Sequence, residues 1–499
     1  MVQWSSAVGA PQLARLLGSQ RAGAGSAAHD GRRTPAYRAL ADGIRLLVLE
    51  GRLPVATRLP AERELAAALT VSRTTVAAAF DALRTDGFLA SRRGAGSWTA
   101  VPAGNPVPTR ALEPLPPETA ETVIDLGCAA LTAPEPHLTQ AFEQALAELP
   151  PYTHTHGDYP AGLPVLREAV ADRYTARGIP TMPEQIMITT GAMGAVAALA
   201  RLLAPRGERV AVEHPSYANI LQLLRDAGNR LVPVPMAGSP TGWDLAAWRQ
   251  VLRDAAPRMA YVVADYHNPT GALAGDDQRR ELIEAARAAG TLLVADETMA
   301  ELTLDPETRR PAPMAAYDPA GSAVITVGSV SKAVWAGLRI GWVRAAPEMI
   351  RSLVAARAYA DLGSPVLEQL AVAGLLSGDG WDQAVAQRRL SARRNRDDLV
   401  AALRATLPDW EFTVPHGGLT LWVRTGGLSG SRIAEAGERS GVRVPSGPRF
   451  GVDGAFEGFV RLPFTVCDPL ATEAVARLAT AADLVRTGAA GLTQTPRSY

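Results

Sequence analysis

The chain has 499 residues, with 50 basic and 50 acidic side chains, a formal net charge of zero and 47% hydrophobic residues. That length supports two or more domains with a large core, and the charge balance excludes polyanion affinity driven by the global field, so any such affinity comes from local charge. The two cysteines, Cys128 and Cys467, allow at most one disulfide and no cysteine metal cluster, which fits a reducing compartment.

In chain order, the first 30 residues lack a signal-peptide apolar core, being interrupted by Pro11 and Arg15, and residues 1–31 read as an N-terminal extension. The apolar run near 186–205 is broken by Thr, Gly and Arg201, so it reads as a buried helix and not a membrane span. A cytoplasmic protein is expected.

From Arg32 to Trp98, eleven arginines face six acids, a local excess of +5 inside a neutral chain. Residues 32–100 parse as helix, helix, turn, helix and wing. Tyr37, Leu40, Ile44, Leu47 and Val48 recur at helical spacing, "LPAERELAAAL" gives a second helix, and "TVSRTTVAAAFDALRTDG" gives a third with Ser72 as N-cap and Gly87 as stop. Ser72, Arg73, Thr74 and Thr75 cluster at the start of the third helix, where a helix-turn-helix contacts bases and phosphates. "GFLASRRGAGSWTA" alternates around a Gly-rich tip, a two-stranded wing whose Arg92 and Arg93 could meet phosphate. The alternative is a three-helix scaffold with an ordinary solvated basic face.

The stretch "LPAERELAAALTVSRTTVAAAFDALRTDGFLASRRGAGSW" resembles the winged-helix domain of the GntR regulators. The resemblance implies double-stranded operator DNA as partner, with Arg63, Ser72, Arg73, Thr75 and Gly96 matching residues that touch DNA or shape the contact. Residues 101–121 are proline-rich and read as a linker, because proline fixes φ and lacks an N–H.

From 122 to 488, short β-branched runs such as "QIMITT", "MAYVVAD", "TLLVADE" and "AVITVGS" alternate with helical patterns, which predicts an α/β domain with a mostly parallel sheet. Its chemistry is then expected at the carboxyl ends of the strands. After "IMITT" comes "GAMGAVAALARLL", a Gly turn opening a helix suited to phosphate. After "MAYVVAD" comes "YHNPTG", after "TLLVA" comes Asp296, and after "AVITVGS" comes "VSKAVWAGLRIG". Residues 489–499 read as a tail.

Lys332 is the only lysine in the chain. A coding bias toward Arg accounts for its rarity but not its position. A guanidinium stays protonated, whereas an amine can lose its proton and attack a carbonyl, so a site that needs an imine cannot accept Arg. Alone, Asp296 reads as a helix cap and "NPTG" as a turn. Their order supplies what holds pyridoxal 5'-phosphate: an imine-forming amine, a carboxylate for the pyridine nitrogen, an amide for the ring hydroxyl and a phosphate cradle.

This region resembles the type I fold of aspartate-aminotransferase-like enzymes. The resemblance gives Lys332 as the Schiff-base lysine, Asp296 as the pyridine-nitrogen partner and Asn268 as donor to the ring hydroxyl. It gives Ser329, Ser331 and Arg339 as phosphate ligands, joined by the backbone N–H groups of Ala192 and Met193. Tyr217 matches the aromatic stacked on the ring, with core packing as its alternative. Arg461 matches the arginine that grips a substrate carboxylate, with a surface ion pair as its alternative. Two positions depart from the enzyme pattern: Met299 stands where a tyrosine donates to the ring hydroxyl, and His156 where a phosphate-binding tyrosine of a second subunit is expected.

The whole chain resembles the MocR subfamily of GntR regulators. That implies a homodimeric regulator in which a small amine or amino acid, or the cofactor itself, acts on the aminotransferase-like domain to control operator binding. The alternative is a working aminotransferase with an appended DNA-binding domain.

Overall fold

The computed structural model describes residues 6–23, 35–92, 96–102, 112, 114–115, 122–237 and 242–488. Arg93, the side chain of Arg92, most of 101–121 and the tail from 489 lie outside the described residues.

The first domain holds α1 (Ala10–Gly23), α2 (Ala36–Leu49), α3 (Glu62–Leu69), α4 (Arg73–Thr85) and an antiparallel wing of β1 (Leu89–Arg92) and β2 (Gly96–Thr99). Leu13 and Leu17, one helical turn apart, enter the same core as Leu40, Ile44, Leu47, Leu65, Val76 and Phe80. The Val8 N–H also donates to the Arg58 carbonyl at 3.0 Å. The segment set apart in the sequence as an extension therefore helps to build this core. Between α3 and α4 the turn is three residues, closed by Thr70 at φ +54°. Ser72 caps α4, its Oγ accepting the Thr75 N–H at 3.1 Å, an interaction worth about 1 kcal/mol.

The large domain is built on a seven-stranded sheet of β4 (Ile186–Thr189), β5 (Arg209–His214), β6 (Arg230–Pro235), β7 (Met259–Val262), β8 (Leu292–Asp296), β9 (Val324–Ser329) and β10 (Gly341–Arg344), after the short β3 (Ile124–Asp125). Its order is β4-β10-β9-β8-β7-β5-β6, and β10 alone runs antiparallel to its neighbours. The helices of this domain are α5 (His137–Glu148), α6 (Pro164–Ala176), α7 (Gly191–Leu203), α8 (Ala218–Asp226), α9 (Leu245–Ala255), α10 (Asp276–Ala289), α11 (Pro347–Arg357), α12 (Val366–Ser377), α13 (Gly380–Thr406), α14 (Gly430–Arg439) and α15 (Leu470–Arg486). One sheet face packs on α5, α6, α9, α10 and α12, the other on α7, α8 and α11. This is the covered parallel sheet that the near-continuous apolar strands require.

A second lobe follows. In it β11 (Thr420–Arg424) pairs antiparallel with β13 (Phe459–Pro463), and β12 (Val442–Arg443) pairs in parallel with β3, so the start of the large domain returns to its end. The second half of α13, with α14 and α15, closes the core of this lobe. Among the described residues no helix is long and apolar enough to cross a membrane.

The first domain docks on this lobe. Arg45 on α2 makes a two-point ion pair with Glu435 on α14, and Asp42 lies 3.8 Å from Arg432. At the end of α2, Glu50 accepts the Ser446 hydroxyl, while its backbone carbonyl accepts Arg449 Nη2 at 3.0 Å. Leu112 from the linker packs against Ala218 and Phe450.

Candidate functional site

Because β7, β8 and β9 are parallel, their carboxyl ends share one edge. Asp296 is the last residue of β8 and Ser329 the last of β9, while Asn268 follows β7 by a short loop. The buried Asp296 carboxyl is pushed upward in pKa by desolvation, opposed by its hydrogen bonds. Its Oδ1 accepts the Thr298 N–H at 2.8 Å, and its Oδ2 accepts the phenol of Tyr261 at 2.6 Å. Sequence reasoning missed Tyr261, which reads as one more apolar residue of a buried strand.

Gly191, at φ +70°, opens α7 beside β10. A Cβ on Gly191 would meet Arg339 Nη2 at 2.7 Å, and one on Gly341 would meet the Gly191 carbonyl carbon at 2.6 Å and the Ala192 nitrogen at 2.9 Å. The two glycines thus let backbone and guanidinium close around the helix N-terminus, whose first N–H groups, those of Ala192 and Met193 among them, have no partner within the helix. Ser329 Oγ lies 2.9 Å from Ser331 Oγ at the same place. Arg339 is itself exposed at φ +52°, with Nη2 3.5 Å from the Thr190 carbonyl.

Lys332 is half-buried, its Nζ donating to the Ala129 carbonyl at 2.6 Å. Burial, reinforced by Arg461 and Arg339, lowers its pKa below the usual lysine value, against the opposing effects of Cys128 and Asp296. The amine is thereby moved toward its nucleophilic neutral form. Ala129 and Gly127 come from the segment after β3, a pairing that no local spacing signals.

Arg461 lies at the centre of β13, 1% exposed, opposite Trp422. One of its terminal nitrogens donates to the Gly127 carbonyl, and its guanidinium sits 5.1 Å from the ring centre of Phe450. Its Nε is buried with no hydrogen-bond partner, and burial pulls its pKa down to about 10. It is not a surface ion pair. Tyr217 is half-buried beside Leu112, Ala218 and Phe450, and burial pushes its phenol up to about 12. Asn268 is 6% exposed and its Oδ1 has no partner. Met299 is buried in the second-lobe core near Tyr266 and Leu302, and His156 is exposed.

On the first domain, Arg63, Ser72, Arg73 and Thr74 are exposed on one turn-and-helix surface, with Thr75 partly covered. Arg73 keeps 74% of its side chain in solvent, with Nε 3.5 Å from Glu62. Gly96, at φ +120°, begins the second wing strand, where a Cβ would stand 3.1 Å from Arg58 Nε.

The family model "Aminotransferase class I and II" matches residues 121–478. The chain belongs to this family. A second model, "Bacterial regulatory proteins, gntR family", matches residues 36–98, ahead of the aminotransferase-like domain. The chain is 28% identical to an uncharacterized HTH-type transcriptional regulator, YisV of Bacillus subtilis, over 78% of its own length and 84% of the relative. It is likewise 28% identical to the probable rhizopine catabolism regulatory protein MocR of Rhizobium meliloti, over 75% and 78%. Among solved structures, LysN, the α-aminoadipate aminotransferase of Thermus thermophilus complexed with N-(5'-phosphopyridoxyl)-L-leucine, superposes with a TM-score of 0.67 at 28% identity, covering 74% of this chain and 94% of that one. A GntR domain followed by an aminotransferase-like domain is the make-up of the MocR subfamily, and the chain is a DNA-binding regulator of that kind.

Proposed function

We propose that this regulator senses a small amine or amino acid at its aminotransferase-like domain and converts binding there into altered operator affinity. The cofactor is pyridoxal phosphate, and the residues fit it: an orphaned Asn268 Oδ1, a glycine-lined helix N-terminus and a lysine shifted toward neutrality. Bound there, the cofactor supplies a carbonyl equivalent that can exchange amines. Lys332 would hold it covalently, Asp296 would face the ring nitrogen and Asn268 the ring hydroxyl, with Tyr217 against the ring. Ser329, Ser331, Arg339 and the N–H groups of Ala192 and Met193 would hold the phosphate. Arg461, with a free buried Nε, would orient an effector carboxylate.

The single observation that carries this reading is that the only lysine of the chain and a buried Arg461, without an ion pair among the described residues, converge in a domain to which the DNA-binding domain is docked. Arg63, Ser72, Arg73, Thr74, Thr75 and Gly96 would meet operator DNA, joined by Arg92 and Arg93 of the wing. We assign residues 32–100, with α1 packed into their core, to the DNA-binding unit, 101–121 to the linker and 122–488 to the sensor domain, and we propose a cytoplasmic homodimer reading paired half-sites. A gel shift with the adjacent intergenic DNA, with and without cofactor and candidate amines, tests it. Amine-dependent change in the shifted band supports the reading, and DNA binding indifferent to both overturns it.

The second reading, a working aminotransferase, is favoured by the shared presence of Lys332, Asp296, Asn268 and Arg461. Multiple turnovers of amino donor and keto acid would support it.

A further inference from the structure

One of the two departures from the enzyme pattern, Met299, points to a redistribution of hydrogen-bond donors around the ring. Met299 takes the place of a phenol on the hydroxyl side and is buried in the second-lobe core, 3% exposed. On the nitrogen side a phenol is present that the sequence did not announce. Tyr261 is opposite Val294 in the parallel pairing of β7 with β8. Side chains two apart on a strand share a face, so Tyr261 stands diagonally across from Asp296 on that face. Its ring is fully buried among Val212, Val294, Ala195 and Leu199, which leaves its hydroxyl one strand away from the carboxylate, at 2.6 Å.

We infer that Tyr261 is a positioning residue that keeps the Asp296 carboxylate ionised and aimed, and so fixes the protonation of the ring nitrogen. The inference rests on the assignment of Asp296 to that nitrogen. The physical reason is an imbalance at Asp296. Desolvation favours its neutral form, and Glu213, on β5 beyond β7, acts in the same sense. Lys332 and Tyr217 face it from the cofactor side. Against this stand Thr298, through its side chain and its N–H, and the Tyr261 hydroxyl. The backbone donor cannot be lost by substitution. The phenol is therefore, beside the Thr298 side chain, the support that a substitution can remove from the neighbouring strand. A carboxyl that became neutral would no longer hold a proton on the ring nitrogen, and the cofactor would lose positive charge next to the Lys332 linkage.

The test uses the full-length chain loaded with pyridoxal phosphate and follows the visible band against pH. With less positive charge on the ring, Tyr261→Phe should move the midpoint of that titration upward by about one pH unit. Asp296→Asn should move it at least as far, and the double variant no further than Asp296→Asn alone, because Tyr261 acts through Asp296. A fluorinated tyrosine at 261, nearly isosteric and a stronger donor, should move the midpoint down, which keeps the inference testable if the phenylalanine variant folds poorly. An unmoved midpoint in a variant that still binds cofactor overturns the role of Tyr261, as does an equal shift with and without Asp296. A wild-type chain without any visible band overturns the cofactor reading itself, and this inference with it.

Discussion

Ser446 donates its hydroxyl to Glu50, so the segment that leads into the Arg461 site also holds the end of α2 in the DNA-binding domain. The same segment is tied to β13 by the Arg461 N–H, which donates to the Pro445 carbonyl at 3.1 Å, and it supplies the Phe450 ring beneath the Arg461 guanidinium. A shift of Arg461 toward a ligand would reach the end of α2 through this one short, buried stretch. Glu50→Gln and Ser446→Ala should leave cofactor and operator binding intact while reducing the change in operator affinity caused by an amine effector, as read by gel shift. An effector response equal to wild type in both variants would show that the domains communicate elsewhere.

Glu457, close to Glu50, should make stability depend on pH. The side chain is 3% exposed. Burial first, and then the nearby Glu50, raise its pKa from 4.5 to about 7, against hydrogen bonds from Ser429 and Ser431. A raised carboxyl favours the folded state fully below its unfolded pKa, and that contribution is lost as pH rises through the folded value. Stability should therefore fall by up to about 3 kcal/mol between roughly pH 4.5 and pH 8. Denaturant unfolding across this range measures it. The decline should be smaller in Glu457→Gln, and an identical decline would assign it to other groups.

Lys332→Ala should abolish the visible band of the loaded protein, since Lys332 is the only side-chain amine in the chain. An unchanged spectrum would leave the terminal amine as the only alternative and overturn the assignment.

Arg73→Ala should weaken binding to a specific operator by roughly 1–3 kcal/mol if Arg73 reads a base through both arms of its guanidinium. Among the described residues the exposed side chain makes one long contact, to Glu62, so the fold should be preserved. Cofactor binding serves as the internal control and should not change. Undiminished specific binding would remove Arg73 from the interface.

Arg461→Lys should weaken an amino-acid effector about ten- to a hundredfold, corresponding to roughly 1.5–3 kcal/mol for a charge-assisted hydrogen bond. A monoamine without a carboxylate should be indifferent to the change. Spectral titration of both ligand types against both proteins checks this, and equal affinities for the amino acid would exclude a carboxylate contact.

The sequence by itself determined the helix-turn-helix, the wing and the strands of the large sheet around "QIMITT", "MAYVVAD", "TLLVADE" and "AVITVGS", because these depend on local period, capping and apolar runs. Ser72 caps α4, and Asp296 and Ser329 end their strands, as the residue order predicts. The lone lysine was legible for a chemical reason: only an amine can form an imine. What the tertiary structure decided are contacts between residues far apart in the chain, for which no local pattern exists. Leu13 and Leu17 look like part of a tail until α1 packs into the winged-helix core. Gly127 and Ala129 reach Arg461 and Lys332 only because β3 pairs with β12, more than 300 residues later. Tyr261 meets Asp296 through the register of two neighbouring strands, and Glu50 meets Ser446 through the docking of two domains. In each case the partner is chosen by packing the whole chain around buried apolar surface, which is a global condition and leaves no periodic trace in the sequence.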